Sequence, residues 1–216
     1  MEDKEDIDGA IDLIDSYRSH SLTQKLSYIE SEIRGEGRLE IKDICKGLSI
    51  GSDLLGAART VKKLSAEIDV IIHSVGILCS LENVLHAEEK VEYVSLGAGN
   101  TGKKFDLETD QRIAEYKFID WRGGAETIRQ NGIFKDFYEL AEYNSHKKKY
   151  LYLNSIETPL KFFNGGRALT SVLSRRPVIL ENIRKKYGSS IERVRDYYQI
   201  HKDNVELVDI RQYLES

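Results

Sequence analysis

FDLETDQRIAEYKFIDW, Phe105 to Trp121, is the stretch on which the reading of this chain turns. Two alternating runs, KFDLET (104–109) and RIAEYKFID (112–120), flank a polar turn at Asp110–Gln111, the pattern of two antiparallel strands in a hairpin. Strand side chains alternate faces. Ile113, Glu115, Lys117 and Ile119 therefore share one face, while Asp106 and Glu108 lie opposite Phe105 and Leu107. A two- or four-residue turn centred on Asp110–Gln111 sets Asp106 against Glu115; a three-residue turn shifts the pairing. Opposed Cβ atoms sit about 5 Å apart, where like charges destabilise a sheet. Two carboxylates forced together share either a proton or a cation.

A hard divalent cation takes oxygen ligands, and magnesium is typically held by one or two carboxylates plus water and substrate phosphate. Lys117, one pleat beyond Glu115, sets an ammonium beside that position, where it can orient water or neutralise charge developing on a phosphate. The spacing alone thus suggests Asp106 and Glu115 holding Mg2+ (or Mn2+) for attack on a phosphodiester. The competing reading puts Glu115 and Lys117 on a solvent-facing side of the sheet, with Lys117 neutralising nearby acid. Either way Lys104 pairs opposite Lys117. Glu-x-Lys alone carries little information, since it occurs at Glu2–Lys4, Glu40–Lys42, Glu88–Lys90 and Glu115–Lys117. Only the last sits in a clear strand with a second carboxylate at hairpin distance.

Working outward, VEYVSL (91–96) reads as a preceding strand. Gly123–Gly124 opens a helix with apolar Ile128, Phe134, Phe137, Leu140 and Ala141. KKYLYLNSI (148–156) is almost continuously apolar, hence an inner strand, and Pro159 ends that segment. Two or three helices follow, near 165–174, 177–187 and 190–200, then VELVDI (205–210) as a last strand. Upstream, residues 8–33 have helical spacing with a break near His20–Thr23, and Leu39–Gly47 is another helix. Ser52 is an N-cap candidate for a long helix from Asp53 to Leu85, through Ala58, Val61, Leu64, Ile68, Ile71, Val75, Leu78 and Leu81. Its middle is apolar nearly all round, which predicts deep packing. The expected class is α/β (α+β), a central mixed β-sheet flanked by helices with a helical N-terminal region. The expected division is 1–51 for that region and 52–216 for the sheet domain.

Asp106 followed by E115-x-K117 on the next strand resembles the core signature of the PD-(D/E)xK nuclease superfamily. The preceding helix, the hairpin and the following helix and strand come in that family's order, over roughly residues 67–156. The resemblance implies a restriction-endonuclease-like fold and Mg2+-dependent hydrolysis of nucleic-acid phosphodiesters, with DNA the expected substrate. It implies that Asp106 and Glu115 bind metal, that the Tyr116 backbone carbonyl assists, and that Lys117 serves the nucleophilic water. It also implies an acid on the preceding helix, for which Glu82 is the first choice and Glu67 and Glu88 the next. From the downstream helix Gln130 is the polar contributor, and Gln130 with Phe134 resembles a Q-x-x-x-Y element imperfectly. The family's proline is replaced by Phe105. The alternative within the same fold is a catalytically silent module that binds nucleic acid or a protein.

Other signals are weaker. Gly97, Gly99 and Gly102 form G-x-G-x-x-G after a strand, and Gly97 to Lys103 matches most of a P-loop. Both mechanisms need a helix N-terminus aimed at the phosphates, whereas strand-like residues follow here. The expectation is a hairpin loop whose Lys103 and Lys104 touch the substrate backbone. Arg129 and Lys135 on the next helix are phosphate-contact candidates, with a solvated helix face the alternative. The five histidines do not cluster at ligand spacing, and His73 reads as a packing residue.

With 216 residues, 40% hydrophobic and 31% charged, the chain has the composition of a soluble globular protein with one good core. Its net charge of −4 gives no overall attraction to nucleic acid. The charge is uneven, however: the first fifteen residues hold seven acids and one lysine, while 161–188 holds seven basic residues and one acid. A basic C-terminal surface suits a phosphate-rich partner. Cys45 and Cys79 are too few for a disulfide framework or zinc site. The run IDVIIHSVGILCSL (68–81) reads as too short and interrupted to cross a membrane, and no signal peptide is apparent, so the expectation is a cytoplasmic protein without a membrane partner. The helical N-terminal region carries no recognisable chemistry and is a candidate element for homo-oligomer formation or protein binding.

Overall fold

The hairpin forms, and a mixed sheet is built around it. In the computed structural model, which describes residues 7–18, 20–97, 104–118, 121 and 127–214, the chain divides into two compact units, Met1–Asp69 and Val70–Ser216. The boundary falls inside one long helix.

The first unit holds α1 (Ile7–Arg18), α2 (Leu22–Glu32), α3 (Arg38–Gly47) and the start of α4 (Ser52–Val84). The break between α1 and α2 has a local cause: the Ser21 hydroxyl accepts the Gln24 N–H at 3.3 Å, an N-cap. Gly35, at φ 88, supplies the left-handed residue that turns the chain out of α2. Ser52 is the first residue of α4 itself and is not its N-cap. Among the described residues of this unit only Ala10 and Ala57 are buried.

The second unit contains β1 (Val91–Val94), β2 (Leu107–Thr109), β3 (Arg112–Lys117), α5 (Thr127–Glu142), β4 (Lys148–Leu153), α6 (Glu157–Phe163), α7 (Leu169–Val172), α8 (Pro177–Tyr187), α9 (Val194–His201), β5 (Glu206–Asp209) and a 3-10 turn, Ile210–Tyr213. The sheet order is β1-β2-β3-β4-β5. β1, β2 and β3 are antiparallel neighbours, whereas β3, β4 and β5 run parallel. This is an α+β arrangement with a five-stranded mixed sheet. Pro159 does not end the β4 segment; it occupies the first turn of α6, where a missing N–H costs nothing.

Both faces of β3 are covered, because α5 and the C-terminal helices lie on one side and α4 on the other. Ile113 joins Leu151, Leu153, Phe134 and Phe137 in one core, while Ala114 and Tyr116 join Leu107, Tyr152 and Ile77 in a second. That removes the solvent-face reading of Glu115, which is only 6% exposed. Lys149 enters the first core and donates from Nζ to the Ala141 and Tyr143 carbonyls at 3.2 and 2.7 Å, satisfying backbone acceptors at the end of α5.

α4 is not buried all round, contrary to the sequence expectation. Ile77, Ser80 and Val84 are buried, but Ile71, Ile72, Val75 and Leu78 are exposed. As part of a 33-residue helix the apolar run is also long and apolar enough, by length and composition, to cross a membrane, with mean hydropathy 1.6 over 18 residues; the judgement that it is too short is corrected accordingly.

Gly76 shows how closely α4 meets the end of the hairpin. A Cβ there would lie 2.6 Å from two Phe118 ring carbons. Alanine gains about 1 kcal/mol of helix propensity, but overpacking costs about 1–3 kcal/mol. Because Phe118 stacks on Tyr116 and meets His73 edge-on, its ring is held from two sides. Gly76→Ala is therefore expected to lower the melting temperature, a loss readable by calorimetry.

Candidate active site

Thr109 organises the hairpin turn. Its hydroxyl accepts the Gln111 and Arg112 N–H groups at 3.0 and 2.8 Å and donates to Glu89 Oε1 at 2.5 Å. The register that follows pairs Leu107 with Ala114 and Glu108 with Ile113. Continued by one residue, it sets Asp106, just before β2, against Glu115. Beyond that point the strand pairing stops, so Lys104 does not oppose Lys117. Its ammonium lies over the Phe105 and Tyr143 rings, 5.4 and 5.2 Å from their centroids.

The Tyr116 N–H donates to Asp106 Oδ2 at 2.9 Å, and the Asp106 and Glu115 carboxyls act on each other's charge. Two carboxyls so placed favour a proton on one of them. Burial, then the Asp106 charge, pushes the Glu115 carboxyl up to about 9, so Glu115 is the protonated partner. Burial also acts against the charge of Asp106, but His73, the Tyr116 N–H and Lys117 overcome it and hold Asp106 below the ordinary carboxylate range.

Lys117 lies 3.5 Å from Glu115 Oε2 and 3.1 Å from Asp136 Oδ2. Burial opposes its charge, yet the Asp136, Glu115 and Asp106 carboxyls prevail and hold the ammonium well above the usual lysine range. Lys117 is thus a permanent donor and never a base near neutral pH.

Two residues that the sequence did not assign to the site belong to it. Asp136 comes from the buried side of α5, between Ile133 and Phe137. It holds Lys117 and also Lys135, at 3.3 Å. An acid on an otherwise apolar helix stripe was the available signal. His73 comes from α4 and places Nε2 3.5 Å from Asp106 Oδ1. His73 packs, as expected, edge-on against Phe118, and it also approaches this carboxylate.

The remaining candidates scatter. Glu82 is exposed and nine positions past His73 on α4, which at about 100° per residue turns it to the opposite side of the helix. Glu88 is exposed beyond the helix end, and Glu67 belongs to the first unit. Gln130 lies on α5, but its Oε1 accepts from Arg167 Nη1 and is not turned to the carboxylates. Lys135 is held by Glu139 at 2.8 Å as well as by Asp136. Arg129 lines, with Lys117, Trp121, Ile128, Ile133 and Leu153, an apolar cavity of about 160 Å³. Lys103 and Ile119 lie outside the described residues, as do Gly99 and Gly102. Downstream of the glycine loop, residues 104–106 lead into β2, so the described chain offers no helix N-terminus there to receive phosphates.

The donor set suits a hard cation: two carboxyl groups share one proton where a cation's charge would serve both. Among the described residues no group of three His, Cys, Asp or Glu side chains is placed to hold a metal. Two carboxylates alone would leave room for the water and phosphate ligands that magnesium habitually retains. Comparison of the chain with protein-family models, curated proteins and solved structures finds no match in any of the three.

Proposed function

We propose that this chain is a metal-dependent nuclease with a restriction-endonuclease-like, PD-(D/E)xK-type core, hydrolysing DNA phosphodiester bonds. The observation that carries the reading is half-buried Asp106 set against buried Glu115, with the Lys117 ammonium beside them. A structural role explains a buried ion pair, but it does not explain two acids placed against each other at the end of a strand pairing.

Mg2+ or Mn2+ held by Asp106, Glu115 and the Tyr116 carbonyl would supply Lewis-acid charge at the phosphate. Asp106 is kept ionised by His73 and the Tyr116 N–H, and so remains an oxygen ligand across the working pH range. Glu115 would hold such a cation as a carboxylate, its proton passing to solvent, since a positive charge there would offset the burial and the Asp106 charge that favour its protonated form. Lys117 donates from Nζ to a phosphate oxygen or to the attacking water and offsets the charge that grows there. Asp136 is a positioning residue, fixing Nζ at 3.1 Å.

Substrate binding follows the same geometry. The apolar cavity beside Lys117 suits a base or sugar next to the phosphate being attacked. Arg167 and Arg176 bond to Gln130 and to the Asn131 carbonyl, bringing two members of the basic 161–188 segment to the same half of α5 as Arg129. That is a surface fit for a polyanion.

Incubation with single- and double-stranded DNA and RNA in Mg2+, Mn2+ or EDTA tests the proposal. Cleavage is expected with either metal and none in EDTA, with loss in Asp106→Ala and Lys117→Ala. Nucleic-acid binding without cleavage, unaltered by those substitutions, would establish the silent module instead.

A further inference from the structure

The site occupies one side of α4; the other side is an apolar surface the nuclease chemistry does not use. Val61, Leu64, Ile68, Ile71, Val75 and Leu78 are spaced alternately by three and four. That 3.5-residue repeat is the seam of a coiled coil, and β-branched residues at one position with leucine at the other favour a parallel two-stranded form. Here Val61, Ile68 and Val75 take the first position, with Leu64, Ile71 and Leu78 at the second. In the second unit Ile71, Val75 and Leu78 are 55%, 50% and 51% exposed.

Three further observations say what covers this face. First, His73, Ile77, Ser80 and Val84, the residues turned toward the sheet, fall at positions that point outward in such a coiled coil. Each sheet then hangs on the outer side of its helix and leaves the seam free. Second, the positions flanking Ile71, Val75 and Leu78, namely Ile72, Ser74 and Cys79, are uncharged, and the seam ends before Glu82, which would otherwise meet its own copy. Third, a lipid partner fits poorly. Helices lying on membranes carry Lys and Arg beside the apolar face, whereas residues 64–84 hold Glu67, Asp69 and Glu82 and no Lys or Arg, the basic Arg59, Lys62 and Lys63 all preceding them. A membrane-spanning helix is excluded on its other side, where Ile77 and Ser80 are buried in the protein and His73 touches Asp106.

We propose that the chain forms a parallel homodimer through α4, with Ile71, Val75 and Leu78 meeting the same residues of a second copy across a two-fold axis. A symmetric seam of this kind is self-complementary. His73 is on the same helix, so pairing stiffens the element that supports Asp106 from behind. The proposal does not depend on the nuclease reading.

Sedimentation equilibrium of the full chain is expected to give twice the 24.7 kDa chain mass. Ile71→Lys with Val75→Lys is expected to yield monomer with an unchanged far-UV circular dichroism spectrum, since both side chains face away from the sheet. Val178→Lys, at an exposed apolar position on α8, is expected to remain dimeric. Should the double lysine variant lose its helical signal, Val75→Cys in a background without Cys45 and Cys79 decides, because parallel pairing brings residue 75 against its own copy and air oxidation then cross-links the dimer. A wild type that is monomeric at every concentration would overturn the proposal. So would a dimer indifferent to the lysines, a failure of residue 75 to cross-link, or a monomer that floats with phosphatidylcholine vesicles through this face.

Discussion

Glu115→Gln is expected to abolish metal-dependent cleavage, by on the order of 10³-fold, while making the metal-free protein more stable. The two effects have one origin. Glu115 is 6% exposed, and burial and the Asp106 charge keep it protonated to about 9. A glutamine amide keeps the shape and donates permanently to Asp106, so above neutral pH the variant avoids the cost of two opposed carboxylates, on the order of 2 kcal/mol. It also removes an anionic ligand. The pH sign follows: a carboxyl with a raised folded pKa holds a proton that the unfolded chain has released. In EDTA the wild type therefore loses stability as pH rises from the ordinary carboxylate range toward about 9. Chemical denaturation across that window should show the decline in wild type and its flattening in Glu115→Gln. A residue of purely structural value would lose stability on substitution.

Arg112→Ala is expected to produce the largest loss of stability, about 3–5 kcal/mol, which lowers the melting temperature on the order of 10 °C. Arg112 and Glu89 have side chains only 5% and 0% exposed. The guanidinium donates to both Glu89 oxygens and, at 3.0 Å, to the Tyr152 hydroxyl. Burial works against the Glu89 charge, but Arg112, Thr109 and the His86 N–H outweigh it and hold its carboxyl below the ordinary range. Alanine would leave that carboxylate buried and unpaired. Glu89→Leu with Arg112→Met removes both charges and should recover much of the loss. Since the folded pKa of Glu89 is depressed, its contribution is present above the ordinary carboxylate pKa and disappears as pH falls through the folded value. Arg112 lies on the face of β3 opposite Glu115, so the folded fraction of Arg112→Ala should still cleave at low temperature. Thermal denaturation and a cleavage assay below the melting range separate the two.

The hairpin register was legible in the sequence because strand periodicity and turn position together leave few alternatives: Leu107↔Ala114 and Glu108↔Ile113 follow from a turn centred on Asp110–Gln111. The burial of both faces of β3 was not legible. Arg112 and Lys117 read as charges on a solvent-facing strand, and the carboxylates that pair with them, Glu89 and Asp136, lie some twenty residues away in sequence. Helix phase explains the other misses. Glu82 is a carboxylate at a suitable distance along α4 but on the wrong side, whereas His73 is on the right side and hidden in an apolar run. That same run, apolar nearly all round, gave no means of telling the sheet-facing stripe at Ile77, Ser80 and Val84 from the exposed one at Ile71, Val75 and Leu78. Pro159 was read as a terminator because proline in a helix's first turn and proline after a strand look alike without the fold.

Calorimetric titration of the protein with Mn2+ at pH 7.5, in two buffers of different ionisation enthalpy, tests most directly whether Asp106 and Glu115 are built for a cation. The wild type is expected to bind Mn2+ and release about one proton per site, because a carboxyl held at about 9 must ionise to become a ligand. Glu115→Gln is expected to bind far more weakly and release none. Binding without proton release, or binding of equal strength in wild type, Asp106→Asn and Glu115→Gln, would contradict the account.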